Sequence, residues 1–570
     1  GTERSKFSTG VSYTKQEGTL GKPVASDYQR FTVRMNSEHI LWKEGDLDII
    51  TFGENLYYNH NESSGISEGN QYGNDISWML RANPLVPIYN ENGDYYMYDD
   101  LNKAGWFNYN SYTSNPIAAM VNSSRGNNKS KNYGLTMVGY LKVQPIKGLV
   151  YKGQVSYKQN SSSYRGYSPA YKLTSTDQKL TNEVTQNMTT GWDWQIENTL
   201  SYTFNIEKHN FDVLVGQSFK KSGFGMGEYL EATANDLLFS DWDRAYISNS
   251  MASQPTSAKG YPTGDNALAS FFGRINYNYA DRYMAEANLR YDGSSRFIGD
   301  QRWGLFPSFS AGWNIAREPF MESFAEKINM GSLKLRASWG QLGNTNTNDA
   351  WYPFYQTMPV GSNYGWLVNG ERPNYATNPG IVSSKKTWET VETWDVGLDW
   401  SFFNNRLSGS FDYFVRYTYD MIATAPELPS ILGTGVPKIN NADMKSYGFE
   451  LEIGWRDRIK NFSYGVKFVL SDAQQKILKY NNPDKSLSNP YYEGQKLGEI
   501  WGYKTIGIAQ SDEEMNQHLA NAKQPMGQKW AAGDIMYADL DNSGSVDQGN
   551  YKVGDSGDWQ IIGNNTPRLN

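Results

Sequence analysis

Cysteine is absent from all 570 residues, and histidine occurs four times. The first absence excludes a disulfide scaffold and any thiolate metal site, and the second argues against a histidine-based metal centre. No apolar run approaches the roughly 20 residues of a transmembrane helix. A basic excess is missing too. The net charge is −7 and the isoelectric point about 5.4, which argues against a nucleic-acid partner. No nucleophile elbow, phosphate loop or metal triad occurs. The start lacks the basic and apolar regions of an export signal, and the end, GNNTPRLN, carries no closing strand. The chain therefore reads as a fragment cut at both ends.

What is present is aromatic and alternating. Phe, Trp and Tyr make up 15% of residues, with 41 Tyr and 18 Trp, yet charged residues reach 20% and mean hydropathy is −0.66. The chain resolves this conflict between Ala267 and Trp313. Phe271, Gly273, Ile275, Tyr277 and Tyr279 alternate with Phe272, Arg274, Asn276 and Asn278; Trp303, Leu305, Pro307, Phe309, Ala311 and Trp313 alternate with Arg302, Gly304, Ser308, Ser310 and Gly312. Period two means strands, since successive side chains point to opposite faces. Strands of ten residues or more, with one face crowded by rings, have the length and belts of a membrane-spanning barrel.

Fifteen strands are expected, near 7–14, 29–36, 46–58, 133–143, 149–159, 189–204, 208–220, 267–280, 282–292, 302–314, 332–341, 391–402, 405–419, 445–457 and 461–472. Their connections alternate between short (144–148, 205–208, Asp281, 403–405, 458–460) and long (59–132, 160–188, 221–266, 342–390, 420–444, 473–570). Outer-membrane barrels have short periplasmic turns and long extracellular loops. The exceptions are 15–28 and 293–301, short for outside loops, and 315–331, long for an inside turn, whose EPFMESFAEKI suggests a short helix. Arg336, Asp395, Asp399, Asp412, Glu450, Glu452 and Arg456 fall on the polar rows. Facing lipid, each would cost several kcal/mol near the midplane, so they must face a polar interior. The fold class is all-β: a transmembrane antiparallel barrel, one domain over 1–570, with 473–570 a long extracellular loop region. Fifteen strands with more to come make a wide barrel, and the largest are plugged transporters of about 22 strands.

The segments FFGRINYNYADRYMAEANLRYDGSSRF, RWGLFPSFSAGWNI, LKLRASWGQLGN, ETWDVGLDWSFFNNRLSGSFDYF, MKSYGFELEIGW, GEIWGYKTIGIAQSDEE and GDIMYADLDNSGSVD resemble the barrel of SusC/RagA-type TonB-dependent transporters. The resemblance covers nearly the whole chain in order. It implies a 22-stranded outer-membrane barrel of a Gram-negative bacterium, plugged by an N-terminal domain and powered through TonB. It also implies import of glycans or peptides, with a SusD-like lipoprotein lidding the mouth. Against that pattern the chain lacks a TonB box, a plug and about seven C-terminal strands. No enzymatic activity and no required cofactor are expected. Within transport the alternative is a siderophore or cobalamin transporter, against which the family segments argue. From other classes come a soluble carbohydrate-binding β protein and a barrel enzyme of the lipase sort.

Three local features have two readings each. Asp539, Asp541, Ser543, Ser545, Asp547 and Asn550, with Gly544 between, follow the spacing of an EF-hand calcium loop, with Asn550 where a bidentate Glu belongs. Either the loop holds a weakly bound structural calcium, or it is a polar Asp/Asn/Gly turn. The long loops are rich in rings: Trp106, Phe107 and Tyr109; Trp351, Tyr352, Phe354, Tyr355, Tyr364 and Trp366; Tyr491, Tyr492, Trp501 and Tyr503. Rings stack on sugars and offer polar edges, but loops of this length also need their own core. The 342–390 loop, with Trp351, Tyr352, Tyr355, Tyr364 and Trp366, is the expected ligand contact. Finally, YDGSSRF (291–297) reads as a recognition loop or, better, as a turn begun by Asp292-Gly293 at a strand end.

Overall fold

The structure, a computed structural model, describes all residues except 20–22, 25, 67–73, 106–114, 123–126, 176, 224–227, 253–254, 263, 265, 346–351, 362–364, 427–428, 430, 432, 525–528 and 570. All fifteen expected strands form: β1 (Ser5–Glu17), β2 (Asp27–Glu44), β3 (Leu47–Ser64), β4 (Lys129–Ile146), β5 (Leu149–Ser168), β6 (Glu183–Ile206), β7 (His209–Ser222), β8 (Asn266–Tyr279), β9 (Tyr283–Ser294), β10 (Trp303–Asn314), β11 (Ser332–Asn344), β12 (Glu389–Phe402), β13 (Leu407–Thr424), β14 (Lys438–Ile459) and β15 (Phe462–Lys479). β2 runs 18 residues, well beyond the expected 29–36. A register shift between Ile40 and Trp42 breaks the period-two pattern there, as a bulge does.

The chain folds as two compact units, Gly1–Leu200 with Gly216–Ala269, and Ser201–Val215 with Ser270–Asn570. In the first, β1 to β5 form an antiparallel meander in which Val11 faces Val33, Met35 faces Leu56, Leu56 faces Met137 and Met137 faces Tyr157. A strand pair lies inside the expected loop 221–266: Glu228–Asn235 pairs with β6 and with Ser257–Pro262. EYLEATAN and SAKGYP carry too few apolar residues to show alternation. The connection 59–132 holds helices Asp75–Arg81, Tyr98–Lys103 and Pro116–Asn122. The first is capped by Asn74, whose side chain accepts the Ser77 N–H at 3.0 Å.

In the second unit β9 to β15 form a continuous antiparallel meander. One cross-strand row runs Phe309, Trp339, Trp394, Val415, Tyr447. The β8–β9 turn holds left-handed backbone at Ala280 (φ 51°) and Asp281 (φ 54°), the conformation that matches the twist of paired strands. The EPFMESFAEKI segment is helical, a 3₁₀ turn over Pro319–Met321 followed by an α-helix over Glu322–Lys327. Residues beyond β15 are built, not bare: Glu499–Tyr503 pairs with Trp559–Asn564, and Thr505–Ile508 with Ile535–Tyr537. A helix at Asp512–Asn521 is capped by the Ser511 hydroxyl. No helix among the described residues is long and apolar enough to cross a membrane.

Candidate functional site

The strands bury little. In the second unit Leu305, Phe309, Trp394 and Val396 are each more than half exposed, and in the first so are Phe7, Val11, Leu41 and Val155. Fully buried apolar side chains lie instead at strand ends and in the connections. Ala118, Ala119 and Leu173 gather with Trp78, Tyr95 and Met97; Tyr167, Val184, Ala234, Leu237 and Ala245 gather with Trp242 and Ile247. Exposed rings in continuous rows are the inverse of a soluble sheet and mark a surface that meets another apolar phase. Phe309 stacks on Trp339 at 5.8 Å, and Trp339 lies 5.9 Å from Trp394.

The opposite face of the same strands is charged. Arg336 on β11 reaches three carboxylates: Asp399 through Nε (3.1 Å) and Nη2 (3.2 Å), Asp412 through Nη2 (2.8 Å), and Asp395 through Nη1 (3.4 Å). Asp412 lies one strand further away, across Gly397. A Cβ on Gly397 would sit 2.5 Å from both Arg336 Cζ and Asp412 Oδ1, so only glycine leaves room for this bridge. Arg274 pairs with Asp212 at 3.1 Å on the same face. Fixed charges of both signs thus line the water-facing wall, as the alternation required.

In the acidic loop the structure gathers some predicted ligands and not others. Carboxylate oxygens of Asp539, Asp541 and Asp558 lie within 4.8 Å of one another. Asp558, fully buried, lies outside the twelve-residue spacing and was invisible to it. Each carboxylate already accepts backbone N–H groups. Asp539 takes Ser543 (3.1 Å) and Gly544 (2.7 Å), Asp541 takes Ser543 (2.9 Å), and Asp558 takes Leu540 and Asp547. The Ser543 hydroxyl oxygen accepts the Ser545 N–H at 3.3 Å, Asp547 accepts the Gly549 N–H, and the Asn550 amide donates to Asp555. A hard cation would have to share oxygens that already brace the loop. Hydrogen bonds from the Ser543 hydroxyl and N–H hold the Asp541 carboxyl below its ordinary range.

Residues 86–565 match the family described as TonB dependent receptor-like, beta-barrel. The chain belongs to that family. TonB-dependent receptor P3 of Formosa agariphila is 26% identical over 583 residues, covering 100% of this chain and 53% of that protein. TonB-dependent receptor SusC of Bacteroides thetaiotaomicron is 26% identical over 592 residues, covering 97% and 53%. A solved structure of the RagAB peptide importer in the closed-closed state superposes with a TM-score of 0.73 at 21% identity, over 100% of this chain and 58% of that one. The chain thus spans about half the length of the curated relatives it matches. Its place is the Gram-negative outer membrane.

Within this receptor barrel the expected ligand loop is partly placed. Tyr352, Phe354 and Tyr355 cluster, with ring centroids 4.7 to 6.0 Å apart, while Tyr355 and Trp366 are largely exposed. Trp351 and Tyr364 lie outside the described residues, as do Trp106, Phe107 and Tyr109. The reading of YDGSSRF as a turn begun at Asp292-Gly293 is corrected. Asp292, Gly293 and Ser294 continue β9, paired with β10 as far as Gly293 and Trp303, and the turn follows them. Asp292, Ser294, Arg296 and Phe297 are buried, and Phe297 packs on Trp388 at 5.9 Å. The segment is structural. Sequence reasoning also missed Glu318, nearly buried in the 315–331 connection, where it accepts from the Tyr283 hydroxyl, the Trp313 indole and Arg282.

Proposed function

We propose that the protein containing this chain imports nutrient oligomers across the outer membrane. Glycan oligosaccharides are the favoured substrate and oligopeptides the second. Energy comes from TonB through a region outside this chain, and a SusD-like surface lipoprotein closes the mouth. The observation that carries this reading is the charged, water-facing wall around Arg336 standing behind rows of exposed rings. That is a polar path through an apolar phase, in a chain whose relatives include SusC. The exposed Tyr355 and Trp366 favour sugars, whose apolar faces stack on rings. Peptides are supported by the overall likeness to the RagAB peptide importer. The polypeptide moves its substrate without altering it.

The test is a strain lacking the gene, supplied with single carbon sources. Loss of growth on one class of oligosaccharide, restored by the gene, with the substrate recovered chemically unchanged, is the expected result. Undiminished growth on every oligosaccharide and peptide, with a defect only in ferric siderophore or cobalamin uptake, would overturn it.

A further inference from the structure

Along β4 the exposed row Leu141, Met137, Tyr133 continues in the same register to Lys131 and Lys129. Their cross-strand neighbours on that face are Glu62 and Arg165. From Val143 to Tyr133 is ten residues, which at about 3.4 Å each and a tilt of about 40° rise about 26 Å, the height of the apolar band of such barrels at about 25 Å. Val143 stands three residues before the short turn that closes at Ile146 and Leu149; taken as the band's lower edge, it puts Tyr133, stacked on His60 at 4.4 Å, at the upper edge and Lys131 one step beyond. The adjoining connections, 59–132 and 160–188, are long ones, so this edge is the extracellular one.

At this level the outer face carries a recess of about 960 Å³ within the first unit, lined by Lys129, Lys131, Arg165, Trp242, Tyr246 and Lys259 among others. The Arg165 guanidinium lies 3.7 Å from the Trp242 ring centroid and 4.2 Å from that of Tyr246. Its hydrogen bond from Nη1 to the Ala245 carbonyl is long at 3.4 Å, which leaves the fork of N–H donors for a planar or tetrahedral anion. Lys131 is held by Glu62 at 3.1 Å and Lys259 by Glu231 at 2.8 Å, whereas Lys129 makes no salt bridge among the described residues. The Trp242 indole N–H is buried without an acceptor, a cost a bound oxygen would remove.

We propose that this recess binds the phosphorylated sugar headgroup of an outer-leaflet glycolipid. Its acyl chains lie along the Tyr133–Met137–Leu141 row, and Lys129 and Arg165 take the phosphate. The indole N–H of Trp242 donates to a sugar or phosphate oxygen. Lys129, Lys131 and Arg165 stand on the same strand face as the exposed Tyr133–Met137–Leu141 row, so the recess serves lipid rather than an imported solute.

The test uses the full-length protein extracted from its membrane and exchanged into lipid-free detergent, with bound molecules counted by native mass spectrometry. Phosphorylated lipid A should bind, and dephosphorylated lipid A should bind about tenfold more weakly or worse. Inorganic phosphate and soluble maltohexaose should neither bind nor displace the lipid. The K129Q/R165Q pair should lower lipid A affinity about tenfold, and W242F severalfold, while both keep the heat-dependent gel mobility of a folded barrel. Equal binding of the two lipids, equal binding by wild type and the folded charge variant, or displacement by phosphate or oligosaccharide would overturn the proposal. If K129Q/R165Q fails to fold, W242F and the comparison of the two lipids on wild type still decide it.

Discussion

Gly397 is the residue on which the interior charge network turns. Arg336 can reach Asp412 only across a position without a side chain, so Gly397→Ala should push the guanidinium off its partners and overpack the wall. The expected loss is about 1–3 kcal/mol, read as a lower unfolding midpoint in detergent, and a wild-type midpoint would contradict the assignment. Glu318 gives a pH-dependent test. Hydrogen bonds from Tyr283 and Trp313, and then Arg282, hold its carboxyl below the ordinary value of 4.5. A depressed folded value means that this stabilisation is complete above about pH 4.5 and fades as pH falls through the folded value. Hydrogen exchange over 315–331 should therefore rise below pH 4.5 in wild type. In Glu318→Gln the same segment should exchange faster at neutral pH and respond less to acid. Equal acid sensitivity of the two proteins would show that another group sets it.

At the scale of elements, period two was enough to find every long strand, because each presents one face to lipid and one to water over ten or more residues. It failed wherever that condition lapsed. The pair Glu228–Asn235 and Ser257–Pro262 is short and poor in apolar residues. The bulge at Ile40–Trp42 shifts the row from one face to the other. Asp292-Gly293 looks like a turn by composition yet stays paired, because buried packing around Phe297 outweighs local turn preference. The acidic loop was half legible: spacing along the chain found Asp539 and Asp541, while Asp558 reaches the same point through the fold. A direct comparison of faces follows on β11 and β12. Val396→Arg, on the exposed row, should cost about 2–4 kcal/mol at mid-membrane. Ser338→Arg, opposite Asp395, should be tolerated on the water-facing side. Folding yield in lipid vesicles measures both, and equal losses would contradict the facing assigned to these strands.

For the whole molecule, the chain meets two solvents, and its composition records both: a mean hydropathy of −0.66 averages polar connections and inward rows with an exterior made of rings and aliphatics. The absence of cysteine makes this directly measurable, since a single introduced cysteine is the only thiol this chain supplies. Cysteines placed one at a time at 305, 308, 309, 310, 311 and 312 of β10, in the full-length protein in its membrane, would each carry a fluorophore. Labels at 305, 309 and 311 should be quenched by nitroxide-bearing lipids, and those at 308, 310 and 312 by a water-soluble quencher. Labels quenched alike at all six positions, or by the aqueous reagent alone, would contradict a strand with one face in lipid and one in water.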